Sequence, residues 1–354
     1  MEKLYISPLI RQRVMKLPLQ TIILSFFCVF GLNAQDLHFT QFELTPLHVN
    51  PANVGGFPGS FRVGGVYRDQ AFSVDGFGSD FSTLNFYLDA TFNWGLRKKD
   101  WVGFGMNFLQ DRSGVIGLGS GSFIAQGAYH LGLRKGSDLA LGVQYGGVGY
   151  NIKNKDLGKN EAELITAGAG AADLAKLQDK ANYTDISIGL NYTASVTARK
   201  HQLKIGVSAA RINNPKVTLS SGQSINKLGS LLTANLGYQY HYSEKLDLTP
   251  MLWLRNVKSF NTIVPQCMAS YLFNIEKGIR LNAGLGYRIG DALQVMFGVD
   301  IKKVKVQIGY DQTLSSQKLA QSPKGVGALE LGVCYIGTVV KKPNPKPRVF
   351  CPRF

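Results

Sequence analysis

From Leu84 to Trp94 every even position is apolar: Leu84, Phe86, Leu88, Ala90, Phe92 and Trp94. The odd positions between them are Asn85, Tyr87, Asp89, Thr91 and Asn93. A period of two sends these sets to opposite faces of a β-strand. One face is oily from end to end, and the other is polar with a carboxylate at its middle. Such a strand needs lipid or a core outside it and water inside it.

The pattern recurs. Val102, Phe104, Met106 and Phe108 alternate with Gly103, Gly105 and Asn107; Ile186, Ile188, Leu190 and Tyr192 alternate with Asp185, Ser187, Gly189 and Asn191. Leu232 to Tyr242, Ile279 to Arg288 and Val304 to Asp311 repeat it. Runs of about ten residues with this alternation are the cumulative signature of membrane-crossing β-strands. About fourteen segments qualify, beginning near 61, 81, 101, 121, 139, 184, 202, 229, 246, 263, 278, 292, 304 and 326. The predicted fold is all-β: a transmembrane antiparallel β-barrel of about fourteen strands. Only helices and closed barrels satisfy every backbone group in lipid, and past the first 34 residues no run is apolar enough for a helical span. A large soluble sandwich would also alternate, but nothing in it requires a regular sequence of turns.

The connections supply that regularity. Short ones, mostly basic, fall at 96–100, 134–138, 198–200, 243–245, 275–278 and 302–303. Longer ones are expected around 73–80, 112–121, 152–183, 213–228, 257–262 and 315–325, with one short exception near Gly290. Outer-membrane barrels have short periplasmic turns and longer outer loops. The phase therefore predicts basic turns, and both ends of the barrel, in the periplasm. Trp94 and Trp101 around the first turn, and Tyr238, Tyr240 and Tyr242 before another, are expected in the aromatic girdles.

Residues 1–34 have the three parts of a secretory signal: Arg11, Arg13 and Lys16, an apolar run from Leu17 to Leu32, and Ala34 before Gln35. The expected organisation is signal peptide 1–34, periplasmic or plug segment 35–60, barrel 61–340 and basic Pro-rich periplasmic tail 341–354. Residues 41–56, QFELTPLHVNPANVGG, interrupt the strand pattern. Pro51 biases Asn50 away from helix, and Gly55-Gly56 permits a sharp reversal into the first strand. With periplasmic ends this segment lies below the barrel or folds up into it, so Pro46, Asn50, Pro51, Ala52 and Gly55 mark a candidate plug or inlet. A short helix is expected within 159–180.

Catalytic readings find little support. GLGSGS at 117–122 lacks the Gly-Lys-Ser/Thr of a phosphate loop and reads as a turn in an outer loop. His130 and His241 are expected on lumen walls, without a nucleophile the sequence can assign. Past the leader, Cys267, Cys334 and Cys351 allow at most one disulfide and show no metal spacing. No catalytic residue, metal site or cofactor is expected. The net charge of +16 does not point to nucleic acid in an exported barrel. Arg97, Lys98, Lys99, Arg134, Lys135, Arg199, Lys200, Lys302 and Lys303 are placed to reach membrane lipid headgroups. The tail, with Lys341, Lys342, Lys346, Arg348, Cys351, Pro352, Arg353 and Phe354, is a candidate dock for an acidic periplasmic protein.

The chain resembles the PorP/SprF family of outer-membrane proteins associated with type IX secretion and gliding. The resemblance rests on Gln41-Phe42, Pro46, Asn50-Pro51-Ala52 and Gly55, then Tyr67-Arg68-Asp69-Gln70. It continues at GLGYRIGDAL (284–293), GVDI (298–301), GYDQTLS (309–315), GALELGVCY (327–335) and the terminal CPRF. It implies a barrel of the fatty-acid-channel kind with no catalytic residue. It implies a role in exporting, or holding at the surface, an adhesin-like cargo with a C-terminal sorting domain. It also implies links to a periplasmic lipoprotein or ring component of the secretion or gliding machinery. The alternative is an outer-membrane channel for small hydrophobic or polar solutes, since Asn-Pro-Ala also resembles the plug of fatty-acid channels.

Overall fold

A computed structural model describes residues 38–70, 81–113, 118–133, 136–152, 180–196, 201–217, 226–257, 260–314 and 327–339. In chain order the strands are β1 (Phe61–Asp69), β2 (Ser82–Phe92), β3 (Trp101–Ser113), β4 (Leu118–Gly132), β5 (Asp138–Ile152), β6 (Lys180–Val196), β7 (His201–Ala210), β8 (Lys216–Val217) and β9 (Asn226–Lys227). They continue with β10 (Leu231–His241), β11 (Leu246–Val257), β12 (Phe260–Asn274), β13 (Ile279–Arg288), β14 (Ala292–Ile301), β15 (Val304–Thr313) and β16 (Gly327–Gly337). Among the described residues fourteen of these close into one antiparallel barrel, each bonded to its neighbours in sequence, while β8 and β9 pair separately between β7 and β10. The seam joins β1 to β16 from Phe61↔Gly337 to Asp69↔Leu329. The even count leaves the start of β1 and the end of β16 at the same end of the barrel.

The alternation has the sign expected of a barrel in lipid. On β2, Leu84, Phe86, Leu88 and Phe92 are exposed on the outside, while Asn85, Tyr87 and Asp89 are buried. The same inversion holds for Phe104 and Met106 against Asn107 on β3, and for Ile186 and Ile188 against Asp185 and Ser187 on β6. Among the described residues no helix is long and apolar enough to cross a membrane; the strands make the crossing.

Two connections differ from the sequence expectation. β3 and β4 stay paired as far as Ser113↔Leu118, and β11 and β12 as far as Val257↔Phe260. The links read as long at 112–121 and 257–262 are therefore only four and two residues. The backbone ladder needs no oily face, so it runs on after the apolar alternation has ended. For the same reason Leu118 to Ser122 of GLGSGS belong to β4 and not to a loop turn. The short link at Gly290 is present, and Gly290 turns it with φ of +78°. The signal sequence, the helix within 159–180 and the tail from Lys341 to Phe354 fall outside the described residues or almost wholly so.

Residues 38–60 form no strand. A 3₁₀ turn at Phe42–Leu44, a single helical turn α1 (Pro46–Val49) and a second 3₁₀ turn at Pro51–Asn53 follow one another. Pro46 and Pro51 each sit at the start of a turn, where the missing N–H costs nothing. Asn50, ahead of Pro51, is extended at φ −159° and ψ 125°, so the two turns cannot fuse into one helix.

A polar seat for the N-terminal segment inside the barrel

Residues 39–55 lie inside the barrel and are held from strands on all sides. At one end, Glu330 of β16 receives two consecutive backbone N–H groups, Thr40 N at 2.7 Å and Gln41 N at 2.9 Å. Arg68 of β1 meets Glu330 at 2.5 Å and Asp311 of β15 at 3.2 Å. Arg288 of β13 approaches Asp311 at 2.9 Å. Two guanidinium groups thus face two carboxylates, and the surplus acceptor capacity of the carboxylates meets the Thr40 hydroxyl and the two amides. Gln266 donates to the Thr40 carbonyl at 2.8 Å and Gln294 to its hydroxyl at 3.3 Å. Glu43 forms an ion pair with Lys305.

In the middle, Asn50 is pinned by its own side chain. Its Nδ2 donates to the carbonyls of Leu190 and Val207, each at 3.2 Å, and its Oδ1 accepts from Ala52 N at 2.9 Å. Ser208 donates to the Val49 carbonyl and Gln126 to the Leu47 carbonyl. Asn53 donates to the Pro46 carbonyl and accepts from Asn191 at 2.8 Å. The last carbonyls of the helical turn, Leu47 and Val49, are thereby satisfied by wall side chains, and that of Pro46 by Asn53 of the segment itself. Apolar contacts accompany them. Leu47 and Val54 are fully buried with Tyr87 and Ala128, and Phe42 stacks on Trp253 at 5.6 Å. Full burial of one such leucine contributes about 1.5–3 kcal/mol.

At the far end, Asp89 of β2 accepts from Gly55 N at 2.8 Å while paired with Arg62 of β1. His130 of β4 contacts the Val54 carbonyl at 2.7 Å through Nε2 and Asp138 at 3.2 Å through Nδ1. A carbonyl stands where a base would need its nucleophile. Trp101 donates to the Gly55 carbonyl at 3.0 Å and stacks on His130 at 4.6 Å. This corrects the girdle expectation for Trp101: it begins β3 on the inward phase and packs against the end of the segment. Trp94, stacked on Phe92, is strongly exposed. Gly55 takes φ +72°, which a side chain would resist.

The wall is shaped to the segment. A Cβ at Gly142 of β5 would collide with the Pro51–Ala52 backbone, and one at Gly103 of β3 with the Val54 carbonyl. Only hydrogen at these positions lets the two backbones approach so closely.

Of the residues singled out in sequence, Pro46, Asn50, Pro51, Ala52 and Gly55 all fall in this seat, and all five are buried. Arg68, Arg288, Asp311 and Glu330 belong to motifs that are far apart in the chain, and here they form one cluster with Thr40 and Gln41. Sequence reading missed Arg62 and the gathering itself. The available signal was a charge in the middle of an inward face, as at Asp89. Arg97, assigned to the basic rim, is tied to Asp100 at 3.0 Å. Hydrogen bonds from Arg97 and Tyr129 hold the Asp100 carboxyl down at about 2. His241 lies on the inward phase of β10 and pairs with Asp247, which Arg280 also meets at 2.8 Å. Cys267 is exposed on the outer face and Cys334 buried on the inner one, so these two cannot pair. Among the described residues no three His, Cys, Asp or Glu side chains gather as metal ligands.

Polar inside, oily outside and closed on itself, the chain is an outer-membrane β-barrel with its own N-terminal segment seated in the lumen. A family model for "Type IX secretion system membrane protein PorP/SprF" matches residues 31–335, and the chain belongs to that family. Among solved structures it is similar to the CymD monoaromatic hydrocarbon channel, at 11% identity and a TM-score of 0.49, over 87% of this chain and 96% of that one. It is similar to the Ralstonia pickettii toluene transporter TbuX, at 11% identity and 0.48, over 82% and 92%. A Pseudomonas aeruginosa FadL homologue aligns at 10% identity and 0.45, over 81% and 92%. No curated protein gives a significant sequence match.

Proposed function

We propose that this barrel serves type IX secretion as a binding element without catalytic activity, holding a specific adhesin-like cargo at the cell surface. The observation that carries the reading is the occupied lumen. A segment bonded to the wall at Thr40, Asn50 and Gly55 stands across the path a solute would take. The useful surfaces are then the loops and rims. The loops at 153–179 and 211–230 are assigned to the cargo's sorting domain. Both ends of the barrel and its short turns are assigned to the periplasm, where residues 341–354 face a lipoprotein or ring component of the machinery. In this reading residues 38–56 are a plug.

The test is a deletion strain. Loss of one particular surface protein, with other secreted proteins displayed normally, is the expected result. Normal display of every secreted protein would overturn the reading. Solute flux through the purified wild-type barrel in liposomes would favour the channel alternative, which requires residues 38–56 to leave their seat.

A further inference from the structure

The outer wall carries a groove that the lumen does not explain. At the loop ends of β3 to β6 a hollow of about 470 Å³ opens sideways, on the phase that faces lipid lower down. Its floor is Gly119, Gly121 and Gly149, which lie side by side across β4 and β5. Gln110 and Arg112 of β3 form one wall, and Lys180 and Asn182 of β6 form the other. Among the described residues neither Arg112 nor Lys180 has an ion-pair partner. Below the groove, on the same outward phase, come Phe108 and then Phe123 and Tyr145, the last two more than half exposed.

We propose that this groove binds the phosphorylated sugar head of a glycolipid in the outer leaflet. Two cations flank a glycine floor over which the Asn151 and Asn182 amides lie; the cations complement phosphate, and the amides of Gln110, Asn151 and Asn182 suit sugar hydroxyls. The apolar band directly beneath receives acyl chains, so one molecule satisfies both zones. A soluble phosphate would use only the upper one. The volume falls within the usual range for small-molecule sites. The assignment to the outer leaflet rests on the orientation proposed above, which puts the loop ends outside.

The test uses the full-length barrel in detergent, with bound lipid read by native mass spectrometry. The probes are bisphosphorylated lipid A, phosphatidylglycerol and phosphatidylethanolamine. Wild type should retain lipid A over phosphatidylglycerol, and R112Q/K180Q should lose at least tenfold in that retention while keeping the heat-modifiable gel mobility of a folded barrel. Equal retention of lipid A by the double variant would overturn the site. So would equal retention of phosphatidylglycerol, which would indicate ordinary boundary lipid. A third outcome would also overturn it: lipid A bound only after residues 153–179 are replaced by a short turn, which would make that loop the occupant. Thiol labelling of a cysteine introduced at Lys216 in intact cells tests the orientation separately. A groove that binds lipid A with Lys216 periplasmic would remove the orientation and leave the chemistry.

Discussion

Arg62 and Asp89 face each other across the β1–β2 ladder and form a two-point ion pair, Nε to Oδ1 at 2.9 Å and Nη2 to Oδ2 at 2.8 Å. Both side chains are buried. Removing one partner strands the other charge, whereas removing both does not. Asp89→Ala should destabilise the barrel by about 3–5 kcal/mol. Arg62→Met combined with Asp89→Leu should cost clearly less. The temperature at which the folded gel band disappears reports the difference.

Glu330 is the second point of attachment. Glu330→Ala removes the acceptor of Thr40 N and Gln41 N and leaves Arg68 with one carboxylate, Asp311, beside the Thr40 hydroxyl. The expected result is release of the start of the segment from an intact wall. Maleimide should then modify a cysteine at Leu44, which is buried in the wild-type structure, several-fold faster. Unchanged labelling would show that Asn50 and Gly55 suffice to hold the segment.

Glycine positions separate seat from wall. Gly142→Val drives a side chain into the Pro51–Ala52 backbone, while Gly147, five residues further along β5 and exposed on the outer face, has nothing near its missing Cβ. Gly142→Val should displace the segment and raise conductance in planar bilayers above wild type. Gly147→Ala should match wild type in both conductance and melting. Equal conductance of Gly142→Val and wild type would argue against the plug assignment.

His48 gives the seat a pH dependence. Burial, with the positive charge of Arg255 nearby, lowers its pKa from 6.5 to about 3. Above pH 6.5 the imidazole is neutral whether the segment is seated or free, and it takes nothing from stability. As pH falls from 6.5 toward 3 the free form takes up a proton that the seated form refuses. Seating therefore weakens, by at most about 1.4 kcal/mol per pH unit. Labelling of the Leu44 cysteine should accelerate between pH 6.5 and 5, read with a pH-tolerant thiol reagent. His48→Asn should flatten that response.

How much of this was legible follows from which forces are local. The strands were legible because Leu84 to Phe92 must put oil outside and polar groups inside. That requirement is written at period two in each strand separately, and the observed strands begin within a few residues of the expected ones. Strand ends were less legible, since pairing such as Ser113↔Leu118 needs no apolar face. The non-strand character of residues 41–56 was legible from Pro46, Pro51 and Gly55. Their seat was not, because it depends on the register that brings Arg68, Arg288, Asp311 and Glu330 together. Trp101 shows the same limit: its residue type suits a girdle, and only its phase on β3 turns it inward.

The Arg68–Glu330 contact crosses the seam between the first and last strands, and Thr40 lies 290 positions before Glu330 in the chain. The segment is synthesised first, yet its anchor arrives last. A barrel that shut with the lumen empty would enclose the two arginines and two carboxylates without the amides that complete them. Closure of the wall and seating of the segment therefore draw on the same four charged groups, and neither arrangement is complete without the other.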